Sequence, residues 1–308
     1  MHRPSFFIVN KNITRTRLRK ETVCVILMQL EVLRMKNRIK LVISDLDGTL
    51  LNKDHALSEY TKSVVKALTN ENIPFWIATG RHHCDALNIS KKLGVDTFLI
   101  TANGATIADF SGELIDQAFI EKEIIENILK IEVPEGVYQN LYKGAHWLME
   151  EPDQVFAKYY KEDDFHYTLC KFEDHLHEPI NKVFFTSYDN EKLIPIANAV
   201  TQMYGEHIDV TFSMPQCLEI MPKGVNKGEA ILKSLKRYGI EPHEVIAFGD
   251  GLNDLEMLQV VGKGYVMGNA HPILKEKLAG HESIGDNGDD AVAKHLVELF
   301  ELHERIIA

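Results

Sequence analysis

The stretch VISDLDGTLL, residues 42–51, sets Asp45 and Asp47 two positions apart at the end of an apolar run, with Gly48 and Thr49 directly after them. Carboxylates so placed suit nucleophilic attack, proton transfer or the holding of a hard cation. Standing alone, they would be explained as well by a turn of Asp and Gly. They do not stand alone. PFWIATGR ends in Thr79, Gly80 and Arg81, where a hydroxyl and backbone amides suit phosphate oxygens. GVNKGEA puts Lys227 at a helix start, where its ammonium and the helix dipole both favour an anion. EVIAFGDGLND ends in Asp250, Asn253 and Asp254. Converging carboxylates repel one another, and a hard cation such as Mg2+ relieves that repulsion while bridging to phosphate.

These residues need elements that bring them together. IKLVIS, PFWIATG and TFLITANG are short, nearly continuous apolar runs, which predict buried strands. Between them, SEYTKSVVKALTNEN carries apolar residues at helical spacing behind Ser58, a suitable N-cap, and HHCDALNISKKLG reads as a helix with a glycine stop. Strands alternating with helices predict parallel pairing, and ligands of such sheets gather beyond the carboxyl ends of the strands. After residue 222 the pattern resumes: KGEAILKSLKRYG and LNDLEMLQVVG read as helices, EVIAFGDG and GYVMGNA as strands.

Between residues 119 and 220 the pattern differs. Helical segments near EKEIIENILKI and EPDQVFAKYYK mix with GVYQNLYK, HWLMEE, NKVFFTSYD and HIDVTFS, several of which alternate as half-buried antiparallel strands do. The fold class expected is α/β: a doubly wound, mainly parallel, Rossmann-like core over 39–118 and 221–308, interrupted by an α+β unit at 119–220.

Residues 1–38 begin with Arg3, Lys11, Arg15, Arg17, Arg19 and Lys20 before the first acid, Glu21. An Arg-rich, acid-poor start fits a transit peptide, or less well a signal peptide. The favoured reading is a disordered tail or a mis-assigned start, with Met35 opening the domain. The apolar run VCVILMQL is too short to span a membrane.

With 308 residues, 45% apolar and 26% charged, the chain has the composition of a globular protein able to bury a core. A net charge of −11 argues against nucleic acid as partner. Cys24, Cys84, Cys170 and Cys217 form no CxxC pair, which speaks against a zinc site or a disulfide framework and for a reducing cytoplasm. No membrane association is expected.

DLDGTLL, ATGR, GVNKG and GDGLNDLEML, in that order, resemble the four motifs of the haloacid dehalogenase superfamily of phosphohydrolases. The large insertion between the second and third resembles the Cof-type branch, which carries an α/β cap there, as do FLITANG, SGEL, CLEIMPKGVNKG, VMGNA and IGDNGDDAVAKHL. The resemblance implies a Mg2+-dependent phosphatase of small phosphorylated metabolites that works through an aspartyl phosphate. Its implied substrate is hydroxymethylpyrimidine pyrophosphate, the alternative being a sugar phosphate or pyridoxal phosphate phosphatase of broad range. A monomer or weak homo-oligomer is expected. Asp45 would be the nucleophile and Asp47 the acid and base, with a pKa raised relative to Asp45. Asp45, the Asp47 carbonyl and Asp250 would hold the metal. The Leu46 amide, Thr79, the Gly80 amide, Lys227 and Asn253 would grip the phosphoryl oxygens.

Each assignment has a plainer rival. Thr79 could cap the helix that follows it, Asp254 could orient Lys227 or an amide without meeting ligand, and Arg81 could be an ion-pair partner. Asn103 and Gly104 could merely make a turn. The histidines lack HxxxH or HExxH spacing, so His82 and His83 default to structural roles. Tyr142, His146, Trp147 and Tyr188 could stack on a substrate ring, but more often such residues fill a core. A phosphate-metabolite sensor on the same scaffold is the non-enzymatic alternative, and the intact acidic motifs speak against it.

Overall fold

The computed structural model describes residues 38–152, 154–155 and 167–306. The readings of the basic start and of most of the EPDQVFAKYYK helix fall outside these residues.

The described strands are β1 (Leu41–Ser44), β2 (Phe75–Ala78), β3 (Phe98–Thr101), β4 (Thr106–Ala108), β5 (Leu114–Gln117), β6 (Tyr138–Lys143) and β7 (His146–Met149). They continue with β8 (Thr168–Leu169), β9 (Lys182–Thr186), β10 (Ile208–Met214), β11 (Cys217–Pro222), β12 (Val245–Gly249), β13 (Lys263–Val266) and β14 (Glu282–Ser283). The α-helices are α1 (Glu59–Asn70), α2 (His83–Leu93), α3 (Lys122–Ile128), α4 (Leu193–Tyr204), α5 (Lys227–Tyr238), α6 (Leu255–Val260), α7 (Pro272–Lys277) and α8 (Ala291–Phe300).

Eight strands form one sheet in the order β14-β13-β12-β1-β2-β3-β4-β5. The first six pair in parallel; β4 and β5 add an antiparallel edge. β1, β2, β3 and β12 are buried throughout, because crossover helices cover both faces of a parallel sheet. Each such Leu, Ile or Phe contributes roughly 1.5–3 kcal/mol of burial. The helices start and stop where the sequence signals them: Ser58 accepts from the Thr61 amide to cap α1, and Gly94 and Gly239 take left-handed conformations after α2 and α5.

The second sheet has the order β10-β11-β9-β6-β7-β8, antiparallel except for β7 with β8. The insertion's apolar core combines α3 and α4 with one face of these strands, among them Ile125, Leu141, Val183, Phe185, Val200 and Leu218. A second cluster joins Tyr142, Trp147, Met149 and Phe184 to Ala102 and Ala105, which flank the turn after β3.

Several elements escaped the sequence patterns, among them the β4–β5 hairpin, α4, β11, α7 and α8. The β4–β5 hairpin is short, and β5 is only partly buried, so its alternation is faint. In α4, Pro195 falls in the first turn, where its missing N–H costs no hydrogen bond.

Candidate active site

β1 and β12 lie side by side, so Asp45 after one and Asp250 after the other come together beyond their carboxyl ends. One carboxylate oxygen from each of Asp45, Asp250 and Asp254 lies within 4.8 Å of the others. Lys227, the first residue of α5, is fully buried and donates to Asp45 Oδ1 at 2.7 Å and Asp254 Oδ1 at 2.6 Å. Asp254 Oδ2 accepts from the amides of Asp250 and Gly251, both at 2.9 Å. Both oxygens of Asp254 are therefore committed to Lys227 and to the turn, the geometry of an orienting residue. Thr49 donates to Asp250 Oδ1 at 2.7 Å. Gly48 has φ 75°, and a Cβ there would stand 2.2 Å from Asp250 Oδ2, so this turn admits only glycine beside that carboxylate.

Three carboxylates face one ammonium here. Burial holds the Asp45 carboxyl well above its ordinary range, against the pull of Lys227. Burial, with the adjoining Asp254, pushes Asp250 up to about 7. Burial by itself would lower Lys227, but the charges of Asp254 and Asp45 outweigh it and leave its pKa raised. An all-oxygen donor set with surplus negative charge fits a hard divalent cation, and Asp45 and Asp250 could hold one through their side chains.

Asp47 departs from expectation. Its side chain turns to Arg81, which donates Nε to Oδ2 at 2.5 Å and Nη2 to Oδ1 at 2.6 Å, and His55 Nδ1 lies 3.0 Å from Oδ1. Burial would raise its pKa, but the Arg81 charge and hydrogen bonds prevail, so the Asp47 carboxyl sits below the usual range while Asp45 sits above it. The expected order of the two is thus reversed, because Arg81 is the ion-pair partner of Asp47. Asp85, accepting from Arg81 Nη1 at 2.9 Å, fixes the guanidinium from its other side.

Thr79 does not cap α2. His82 does, its Nδ1 accepting from the Cys84 amide at 3.2 Å, while Thr79 Oγ1 accepts from the Arg81 amide at 3.1 Å. His82 packs edge-on against Tyr142, and burial takes its pKa down to about 3, so it is neutral. Thr79 and Gly80 meet the rest of the site through Asn103, whose amide donates to the Thr79 carbonyl at 3.0 Å and whose Oδ1 accepts from Asn253 Nδ2 at 2.9 Å. Leu46 is buried between Asp45 and Asp47. Sequence reasoning left Asn103 open between a loop near the site and a plain turn, and assigned no role to Thr49, Lys182 or Glu219; the ITANG and CLEIMP stretches hold the local signal for Asn103 and Glu219. Asn269 and Asn287 were also missed: Asn269 Nδ2 donates to the Gly48 carbonyl at 2.7 Å, and Asn287 Nδ2 to that of Leu51 at 2.8 Å, bracing the loop after β1.

Of the aromatic candidates, Tyr142 and Trp147 lie in the buried cluster, and Trp147 Nε1 donates to Asn140 Oδ1 at 2.8 Å. Tyr188 is exposed and donates to the Gln154 carbonyl at 2.9 Å, and His146 is exposed. Cys84, Cys170 and Cys217 form no disulfide with one another, and no helix among the described residues is long and apolar enough to cross a membrane.

Residues 42–296 match a family described as haloacid dehalogenase-like hydrolase. A putative phosphatase of Buchnera aphidicola subsp. Baizongia pistaciae is 38% identical over 261 residues, covering 84% of this chain and 98% of that protein. A protein of Klebsiella pneumoniae named HMP-PP phosphatase is 34% identical over 257 residues, covering 83% and 94%. A solved haloacid dehalogenase-like hydrolase from Bacteroides thetaiotaomicron superposes with a TM-score of 0.75 at 26% identity, covering 85% of this chain and all of that one.

Proposed function

The chain belongs to the haloacid dehalogenase-like hydrolases and is a phosphatase, and from that premise we propose that it is Mg2+-dependent, works through an aspartyl phosphate at Asp45, and takes a small phosphorylated metabolite. In this reading residues 39–118 and 221–308 are the catalytic core and 119–220 the cap. The observation that carries it is the group of Asp45, Asp250 and Asp254 around the single Lys227.

Asp45, Asp250 and the Asp47 carbonyl would hold Mg2+, which would supply charge neutralisation for the phosphoryl group. An oxygen of Asp45 attacks phosphorus as the bond to the leaving oxygen breaks, and Asp47 gives that oxygen a proton. Water then attacks phosphorus of the acyl phosphate, Asp47 takes a proton from that water, and the bond from phosphorus to the Asp45 oxygen breaks, freeing Asp45 and inorganic phosphate. Lys227, the Leu46 and Gly80 amides, Thr79 and Asn253 hold phosphoryl oxygens, acting where charge develops. Because Arg81 draws the Asp47 pKa down, proton donation requires that ion pair to loosen as substrate enters.

The preferred substrate is hydroxymethylpyrimidine pyrophosphate, supported by the name of the Klebsiella relative. Phosphate release from this compound, pyridoxal phosphate and common sugar phosphates, each with Mg2+ and with chelator, tests it. The highest kcat/KM with the pyrimidine pyrophosphate, lost with chelator, is expected. A sugar phosphate or pyridoxal phosphate in first place would replace the substrate, and binding without release would replace catalysis by sensing.

A further inference from the structure

A carboxylate can only accept hydrogen bonds, so it dictates the orientation of any amide that meets it. Glu219, on β11 of the insertion, is 2% exposed. Its Oε1 accepts from Lys182 Nζ on β9 and from Ser213 Oγ, the latter at 2.8 Å. Its Oε2 accepts from Nδ2 of Asn103, in the turn after β3, whose backbone is left-handed with φ 55°. With Nδ2 committed, Asn103 presents Oδ1 to Asn253, which must then offer its NH2 group. Asn253 Oδ1 meanwhile packs over Gly251, where a Cβ would lie 2.4 Å away. The same group touches the second motif: Lys182 Nζ donates to the Gly80 carbonyl at 3.4 Å, and a Cβ on Gly80 would lie 3.0 Å from Asn103 Oδ1.

We propose that Glu219 is a positioning residue for phosphoryl transfer: acting through Asn103, it locks the Asn253 amide so that the second N–H of Nδ2 serves the phosphoryl group. The proposal rests on the reading of Asn253 as a phosphoryl ligand given above. An amide free to flip presents oxygen as readily as nitrogen, and oxygen would repel a phosphoryl anion. Glu219 removes that ambiguity from a distance, and because it belongs to the insertion it couples that unit to two catalytic loops. Burying the Lys182–Glu219 pair is itself costly, and apolar side chains of the same volume would pack at least as well. Its ionic character supplies what they cannot, a fixed hydrogen-bond direction.

Two variants test this. Glu219→Gln keeps the shape but introduces an NH2 that opposes Asn103. Asn103→Gly keeps the left-handed turn and leaves the Lys182–Glu219 pair intact, so it decides the matter if Glu219→Gln does not fold. Each should lower kcat/KM about tenfold to a hundredfold, mainly through kcat, short of the ~10²–10³ for deleting an oxyanion donor outright. In an Asn253→Ala background neither should cost anything further. Wild-type kcat/KM in both variants, or losses that multiply undiminished on Asn253→Ala, would overturn the proposal.

Inorganic phosphate with Mg2+ should move the Asn253 side-chain NH2 resonances in the intact chain and not in Glu219→Gln. If the intact chain released no phosphate from any substrate, the phosphatase mechanism would fall, and this titration would still judge the relay. Equal movement in both proteins, or none in either, contradicts it.

Discussion

The loops beyond β1 and β12 and the sheet of the insertion treat buried charge in opposite ways. In the loops, Asp45, Asp250 and Asp254 crowd around Lys227 alone, and burial, with the adjoining Asp254 charge, lifts the Asp250 pKa to about 7. In the sheet, Lys182 is matched one to one by Glu219, and Tyr142, Trp147 and Phe184 fill the space beside them. In the function proposed here, the imbalance marks a place that an ion and a phosphorylated ligand complete. Balance marks a place that is complete without them, and whose work is to hold other groups still.

Substitutions should separate the two regions sharply. The largest effect belongs to Asp45→Asn, where a neutral amide cannot form the acyl phosphate: turnover should fall at least about a thousandfold while the thermal midpoint stays near wild type. Retained activity would remove Asp45 as nucleophile. Next comes Asp250→Ala, which should raise the Mg2+ concentration for half-maximal rate about a hundredfold; an unchanged requirement would move the ligand role to Asp254.

The raised pKa of Asp250 adds a pH signature. Its carboxyl is protonated below about 7 and must lose that proton to bind metal, so Mg2+ affinity should rise with pH through about 7. The slope should approach about tenfold per pH unit on the acid side. Calorimetric titration at several pH values checks this, and a flat profile contradicts it.

Arg81→Met tests the boundary between catalytic and structural charge. Arg81 lowers the Asp47 pKa, so its removal should raise that pKa and carry the alkaline limb of kcat to higher pH. An unmoved limb would mean that Asp47 is not the proton donor. The smallest effect is expected in the insertion. Trp147→Phe loses the bond to Asn140 and should cost about 1 kcal/mol in denaturant unfolding, with kcat unchanged. A fall in kcat would bring Trp147 into the site.

What the chain reveals in one dimension follows from the range of the interactions. The positions of Asp45, Asp47, Thr79, Lys227, Asp250 and Asn253 are legible because each sits near a strand end or helix start, where local pattern marks the element. The parallel core is legible for the same reason, since buried strands and crossover helices have distinct periods. The partner of Asp47 is 34 positions away and that of Asn103 is 116 away, and no local pattern pairs them. Tyr142 and Trp147 have the composition of a stacking platform but the burial of a core, a distinction that only packing makes.

The most direct test is to trap the intermediate. Acid quenching during turnover of a substrate carrying a radiolabelled terminal phosphoryl group, with Mg2+ present, should leave label on the peptide that contains Asp45, discharged by hydroxylamine as an acyl phosphate is. None should appear in Asp45→Asn. Label on another residue, or steady release of phosphate with no covalent label at any quench time and full activity in Asp45→Asn, would contradict the account.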